Sequence, residues 1–497
     1  MPSPTSLRPP SGYVNAIARE NQLLPGDWRQ LGAADHERIS AAIARYAGPG
    51  ATLKSLEACL MVNALITTGR RFEYLGELTF LRVERGASLR QLGPALILRE
   101  RHWSWWLPAG GPTLKNKPDT EGMVPISPNV WLPVSTKCAA LLKRCFLLRA
   151  VHASSERQPL FTNSTDTLER RVRAILESRG EGARQARRSA TTIESAQRWL
   201  LRALAQEPEA DPGAASVISG RQQPVARPMT HYGAISIPRA IRLHANVTKA
   251  VDPHEHYEYP PELAPLNIGD PTTPTDETVR HVAAQLAKDL NCGSDHPIAQ
   301  HTAMMRYTCA LVAFALALRG TGSLPSFGSI DGRTGFTQLH DKDRQDPHRA
   351  RLVWVPGIAR DQLRNYHEHL GRLAPNLGIA ARARLSALRH EDVTAAPLFW
   401  LRDRYRLEPT NLLDVLRSAR RFGWRGKENA GRHWLRSKMA GKCSAETLSA
   451  FFGHWQRGTD PWAGTSSLDP LSYRADLQRC LDPILEAGGW RPIALHS

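Results

Sequence analysis

Gly431-Arg432-His433-Trp434-Leu435-Arg436, then Phe451-Phe452-Gly453-His454, then Leu471-Ser472-Tyr473, is the succession from which this chain is best read. Residues three apart on a helix share a face, so His433 and Arg436 can address one point in space. Asn429 and Gly431 are suited to starting that helix, and the positive end of a helix favours an anion. Upstream, Arg319 closes an apolar run and Lys342 lies in a polar loop between two strand-like segments. Two arginines can clamp a phosphate, a lysine and histidines can move protons, and a tyrosine can attack. Arg319, Lys342, His433, Arg436, His454 and Tyr473 thus form a set suited to metal-free chemistry on a phosphodiester. Taken singly, each has an ordinary reading: a helix-end arginine, a solvated loop lysine, a packed helix tyrosine. Their order carries the stronger one, and no other tyrosine follows His454.

Composition agrees with a polyanionic partner. The 497 residues exceed one ordinary core and suggest roughly two to four domains. Lys and Arg number 65 against 47 Asp and Glu, a formal charge of +18. Each phosphate that such a surface neutralises releases condensed counterions. The arginine excess suits bidentate phosphate contacts, although a GC-rich genome gives the same bias. No apolar run is long enough to span a bilayer, and the opening MPSPTSLRPPSGYVN lacks the apolar core of a secretory signal. The seven cysteines are scattered with no C-x-x-C, which predicts a reduced, intracellular protein without structural zinc. With a polyanionic partner expected, a cytoplasmic, nucleoid-associated location in a bacterium is the matching expectation. No phosphate loop of the G-x-x-x-x-G-K-[ST] type occurs, and neither His254-Glu255-His256 nor His367-Glu368-His369 has a third ligand, so no metal and no cofactor is expected.

Punctuation by proline and glycine divides the chain. Residues 1–45 read as a flexible or helical N-terminal segment, 46–263 as a helical region whose basic charge suits DNA binding, 264–275 as a linker and 276–497 as the domain that holds the candidate catalytic residues. A further break falls at Glu207 to Gly213. Thr275-Asp276-Glu277 signals a helix start, and a buried helix is expected from about Gln300 to Leu318, stopped by Gly320. Phe336 to Leu339 and Arg351 to Val355 read as two short strands flanking the loop that holds Lys342, with His340 and Arg344 as its substitutes. From Gln362 onward helices with short loops are expected. The arginine-rich segment Leu168 to Leu204 predicts helices whose charges are mostly solvated but can collectively contact a nucleic-acid backbone.

The ordered boxes around Arg319, Lys342, His433, Arg436, His454 and Tyr473 resemble the tyrosine recombinase (phage integrase) family over roughly residues 295–480. The first half echoes the family's opening more weakly, in Thr68-Gly69-Arg70 with Glu73 and Glu77, followed by Lys115, Lys117 and Val130-Trp131-Leu132-Pro133. That echo suggests a degenerate catalytic-like repeat. The resemblance implies a mainly α, multidomain protein with a small β-hairpin or sheet and an integrase-like α+β C-terminal catalytic domain. It implies a site-specific recombinase or integrase serving a mobile element, in which Tyr473 forms a 3′-phosphotyrosine intermediate without metal or ATP. Arg319 and Arg436 would stabilise phosphate charge, Lys342 protonate the leaving oxygen, His433 assist proton transfer and His454 hydrogen-bond the phosphate. Double-stranded DNA, a homo-tetramer on synapsed sites and other recombinases of the same element are the implied partners. Two departures are visible: Gly322 replaces an acidic residue expected near Arg319, and the connection from Trp455 to Pro470 is long. They favour the alternative of a recombinase-like accessory protein that binds DNA without cutting it; a type IB topoisomerase-like enzyme is a third reading. The Leu477, Leu481, Leu485 stripe is expected to pack on a neighbouring protomer.

Overall fold

The computed structural model describes residues 30–84, 88–100, 102–112, 121–149, 157–178, 191–221, 231–252, 259–292, 296–320, 324–325, 327–340, 350–390, 399–401, 406–409, 412–418, 420, 426, 428–455, 461–462 and 466–495. The chain forms two compact units: residues 1–113, 125–231 and 235–269 make the first, and 114–124, 232–234 and 270–497 the second. The described chain is mostly helical, with one five-stranded mixed sheet and several two-stranded ones. No described helix is long and apolar enough to cross a membrane.

In the first unit, the Leu53–Thr68 helix is buried on nearly every side because its sequence is apolar all round. Strands β1 (Thr79–Val83), β2 (Ala95–Arg99), β3 (His102–Pro108), β4 (Asn129–Pro133) and β5 (Gln158–Pro159) lie in the order β4-β3-β2-β1-β5, with β1 and β2 parallel and the other pairs antiparallel. Helices Ala33–Tyr46, Phe72–Gly76, Thr136–Leu148, Thr165–Glu177, Ile193–Ala205, Pro212–Ser219 and Ile237–Thr248 pack in the same unit. The reading of 46–263 as a helical region is therefore incomplete. Leu96, Trp105, Trp106 and Leu132 are all buried, so these strands are apolar on both faces and lack the polar alternation that announces a strand. The break at Glu207 to Gly213 also needs correction. Asp211 is a buried N-cap that accepts from Gly213 N at 2.7 Å, and the Pro212–Ser219 helix starts there.

Short strands β6 (Ala234–Ser236) and β7 (Asn267–Gly269) precede the main run of the second unit. That unit's core is built on the Pro297–Ala315 helix, buried through most of its length, with helices Asp276–Asn291, Gly357–Leu373, Ala430–Met439, Ala445–Phe452 and Pro470–Ala487. Strands β8 (Phe336–His340) and β9 (Ala350–Trp354) form the expected antiparallel hairpin. The region after Gln362 is not purely helical: β10 (Phe399–Leu401) and β11 (Leu407–Pro409) form a second antiparallel ribbon.

Two local expectations are overturned. The core helix ends at Ala315, not at a glycine, and Ala317 takes the left-handed conformation at φ +49°. Residues 270–275, read as linker, are built structure: Asp270, Thr272 and Thr273 are buried, and both threonines bond the Asp270 carboxylate. Short polar residues in a Pro-rich run signal a turn in sequence, but here the turn folds inward.

Candidate functional site

The second unit concentrates arginine and histidine where its helix ends meet. Arg351 on β9 donates to Phe451 O at 2.7 Å, Leu316 O at 2.9 Å and Ala317 O at 3.0 Å. Arg432 donates to Ala317 O at 3.0 Å and to Phe452 O. These two buried guanidiniums tie the end of the Pro297–Ala315 helix, which leads into Arg319, to the end of the Ala445–Phe452 helix, which leads into His454. Cations at carbonyl-rich helix ends are electrostatically favoured, and each bond is charge-assisted. Asn429, just before the Ala430–Met439 helix, accepts at Oδ1 from Gly320 N at 3.1 Å and so fixes the Arg319 loop as well.

His454 follows Gly453, whose φ of +63° ends the helix, and His454 N donates to Ser449 O at 2.9 Å. Its ring is buried, and Arg432 Nη2 lies 3.4 Å from Nε2. Guanidinium can only donate, so Nε2 is the acceptor and the proton of the neutral ring sits on Nδ1. Burial, with Arg432, Arg436, Arg319 and Arg351 around it, holds His454 well below the ordinary histidine range. Its Nδ1 has no hydrogen-bond partner among the described residues. A buried N–H without an acceptor, surrounded by guanidiniums, is suited to an anion.

His433 lies on the Ala430–Met439 helix with Arg436, one turn away and also buried. Its Nδ1 bonds Asp270 Oδ2 and lies 3.1 Å from Thr272 Oγ1. Burial acts to raise Asp270, but the bonds from His433 and Thr272 outweigh it and hold the carboxyl below the usual range. A carboxylate on Nδ1 fixes the ring orientation and leaves Nε2 as the reactive atom. The Tyr232 ring lies 4.6 Å from His433 and 5.2 Å from His454, with the Arg432 guanidinium 5.1 Å above it. A Cβ at Gly233 would stand 2.8 Å from Arg436 Nη1, so the glycine gives that guanidinium room.

Tyr473 is placed differently. It is fully buried, stacked 6.0 Å from Phe336, and its hydroxyl donates to Leu352 O at 2.7 Å. Burial pushes its phenol well above the ordinary range. It heads a buried stripe continuing through Leu477, Leu481 and Leu485, which fill the unit's own core, so the expectation that they face a neighbouring protomer is corrected. Arg319, His433, Arg436 and His454 are thus gathered around helix ends joined by Arg351 and Arg432, while Tyr473 is bonded to β9. Lys342, Arg344, Gly322, Lys115, Lys117 and His254 to His256 lie outside the described residues; His340 ends β8.

Asp270, Arg351, Arg432 and Tyr232 were not among the residues singled out from sequence. Arg432 stood inside the motif itself, and Arg351 opened a predicted strand, but only tertiary contacts reveal their roles. Comparisons of the chain with family models, with curated proteins and with solved structures return no match.

Proposed function

We propose that the second unit binds a phosphodiester of duplex DNA and cuts and rejoins the strand through Tyr473, as a site-specific recombinase of the tyrosine type with an integrase-like catalytic fold. The observation that carries this reading is the buried His454 Nδ1–H, without an acceptor among the described residues and ringed by Arg319, Arg351, Arg432 and Arg436. In the proposed step, the Tyr473 oxygen bonds to phosphorus and the bond from phosphorus to the 5′ oxygen breaks. The phenol proton passes to His433 Nε2, and the leaving 5′ oxygen takes a proton from Lys342. Arg319, Arg436 and His454 stabilise the charge that develops on the other phosphate oxygens. Rejoining reverses the step, because the phosphotyrosyl bond conserves the energy of the one broken. Exchange between two duplexes uses four protomers on paired sites. For attack, Tyr473 must leave the Leu352 carbonyl, so the buried position is a resting state.

Arg319→Gln and Arg436→Gln test this reading in strand cleavage of a phosphorothiolate-containing duplex. Each is expected to slow adduct formation by roughly 100-fold or more, the order seen when one charge-stabilising donor is removed. Cleavage at the wild-type rate in both would overturn the assignment. The burial of Tyr473 and its bond to Leu352 O favour a second reading, a DNA-binding accessory protein that does not cut. Under that reading wild-type protein shifts the duplex in a gel but forms no covalent product.

A further inference from the structure

A cleft of about 1080 Å³ lies wholly within the first unit. Arg70, Arg71, Arg173, Arg198, Arg202 and Arg221 line it against Glu73, Glu169 and Glu194, six positive charges to three negative. Arg173 pairs with Glu169 and Arg198 with Glu194. Arg70 is only 6% exposed, and its Nη2 donates to Pro108 O at 2.7 Å and Ile218 O at 3.1 Å. Its Nε and Nη1 have no partner among the described residues. Burial with such donors unmet is costly unless an anion meets them.

The backbone is shaped around this guanidinium. The Pro212–Ser219 helix ends at Gly220 with φ +69°, and a Cβ there would fall 2.3 Å from Arg70 Nη1. The next residue, Arg221, donates from Nε to Gly69 O at 2.8 Å and from Nη2 to Gln197 Oε1 at 2.6 Å. Burial lowers the Arg221 guanidinium, partly offset by Glu194, with Arg198 and Arg71 adding repulsion that an anion would relieve.

The succession matches the one around His454. A helix capped by Asp211 ends in left-handed Gly220 and then Arg221, as the helix capped by Ser444 ends in left-handed Gly453 and then His454. The Leu53–Thr68 helix ends two positions before Arg70, and Pro297–Ala315 ends four positions before Arg319. Ile237–Thr248, which follows Arg221 as Pro470–Ala487 follows His454, contains no tyrosine.

We infer that this cleft is a second phosphate site, which grips the phosphodiester backbone of duplex DNA without cleaving it. The inference rests on first-unit residues alone and stands whether or not the second unit cuts DNA. Tyr74 also lines the cleft, but burial raises its phenol to about 12, and no histidine or lysine stands among the described lining residues to exchange its proton or protonate a leaving oxygen. Arginine contacts to phosphates give affinity that is independent of base sequence.

The test is fluorescence anisotropy of the full-length chain on a labelled duplex of random sequence, titrated at several salt concentrations. Arg70→Gln, Arg221→Gln and the surface pair Arg71→Glu with Arg173→Glu are compared with wild type. Each is expected to weaken binding and to lower the slope of log affinity against log salt by about 0.9 for every phosphate no longer neutralised. ATP, as a free-nucleotide probe, is expected not to displace the duplex. Because Arg70 also bonds two carbonyls, a misfolded Arg70→Gln protein leaves the decision to the surface pair. Wild-type affinity and salt slope in that pair, with an unchanged melting temperature, would overturn the proposal, as would displacement of the duplex by ATP from wild type but not from the pair.

Discussion

At Ala317 an alanine holds φ +49°, a conformation that costs an L-residue roughly 1–2 kcal/mol, and its carbonyl accepts from both Arg351 and Arg432. The strain sits directly upstream of Arg319, so it shapes the loop that aims a proposed phosphate ligand. Ala317→Gly is expected to leave stability unchanged or raise it by up to about 1 kcal/mol, whereas Ala310→Gly inside the helix should cost about 1 kcal/mol or more, both read by denaturant unfolding. At Asp270 the prediction concerns chemistry: Asp270→Asn is expected to slow strand cleavage by roughly 10–100-fold, because His433 loses the carboxylate that orients it. His433, Arg436 and His454 could be read from sequence because helical spacing and a glycine helix stop are local signals. Asp270 could not, since its partner lies 163 positions away and only the folded turn brings them together.

At the scale of elements, Arg351 and Arg432 make one clamp between two helix ends. Arg351→Met leaves three buried carbonyls without that donor and is expected to cost about 3 kcal/mol or more; with Arg432→Met the losses should not add, because both act on Ala317 O. The Pro470–Ala487 helix illustrates what periodicity does and does not tell. The spacing of Tyr473, Leu477, Leu481 and Leu485 marks one face, but a stripe alone does not say which surface covers it, and here it is the unit's own core. Tyr473→Phe should therefore fold, losing about 1 kcal/mol with the bond to Leu352 O, which makes it a clean probe of chemistry. The β8 and β9 hairpin was legible because its two runs flank a polar loop, whereas the five-stranded sheet of the first unit was not, because strands buried on both faces read like core helix.

For the whole molecule, buried histidines set the response to acid. Burial, aided by His301 and Arg372, holds His369 at about 3, and burial with four arginines holds His454 well below the ordinary value. In the first unit burial lowers His36 to about 4, partly offset by Asp35. Each depressed value contributes stability that is fully present above about pH 6.5, the unfolded value, and is lost as pH falls toward the folded one, at about 1.4 kcal/mol per pH unit and proton. Melting temperature is expected to fall between about pH 7 and pH 5, with a shallower fall in His369→Gln. With a charge of +18, the DNA binding proposed for each unit is expected to weaken steeply with salt. The most direct test of the central claim is covalent trapping: wild type and Tyr473→Phe are incubated with a nicked, phosphorothiolate-containing duplex and run on a denaturing gel. The account predicts an adduct with wild type that Tyr473→Phe abolishes. An adduct that persists in Tyr473→Phe, or none from wild type that binds the duplex tightly, would contradict it.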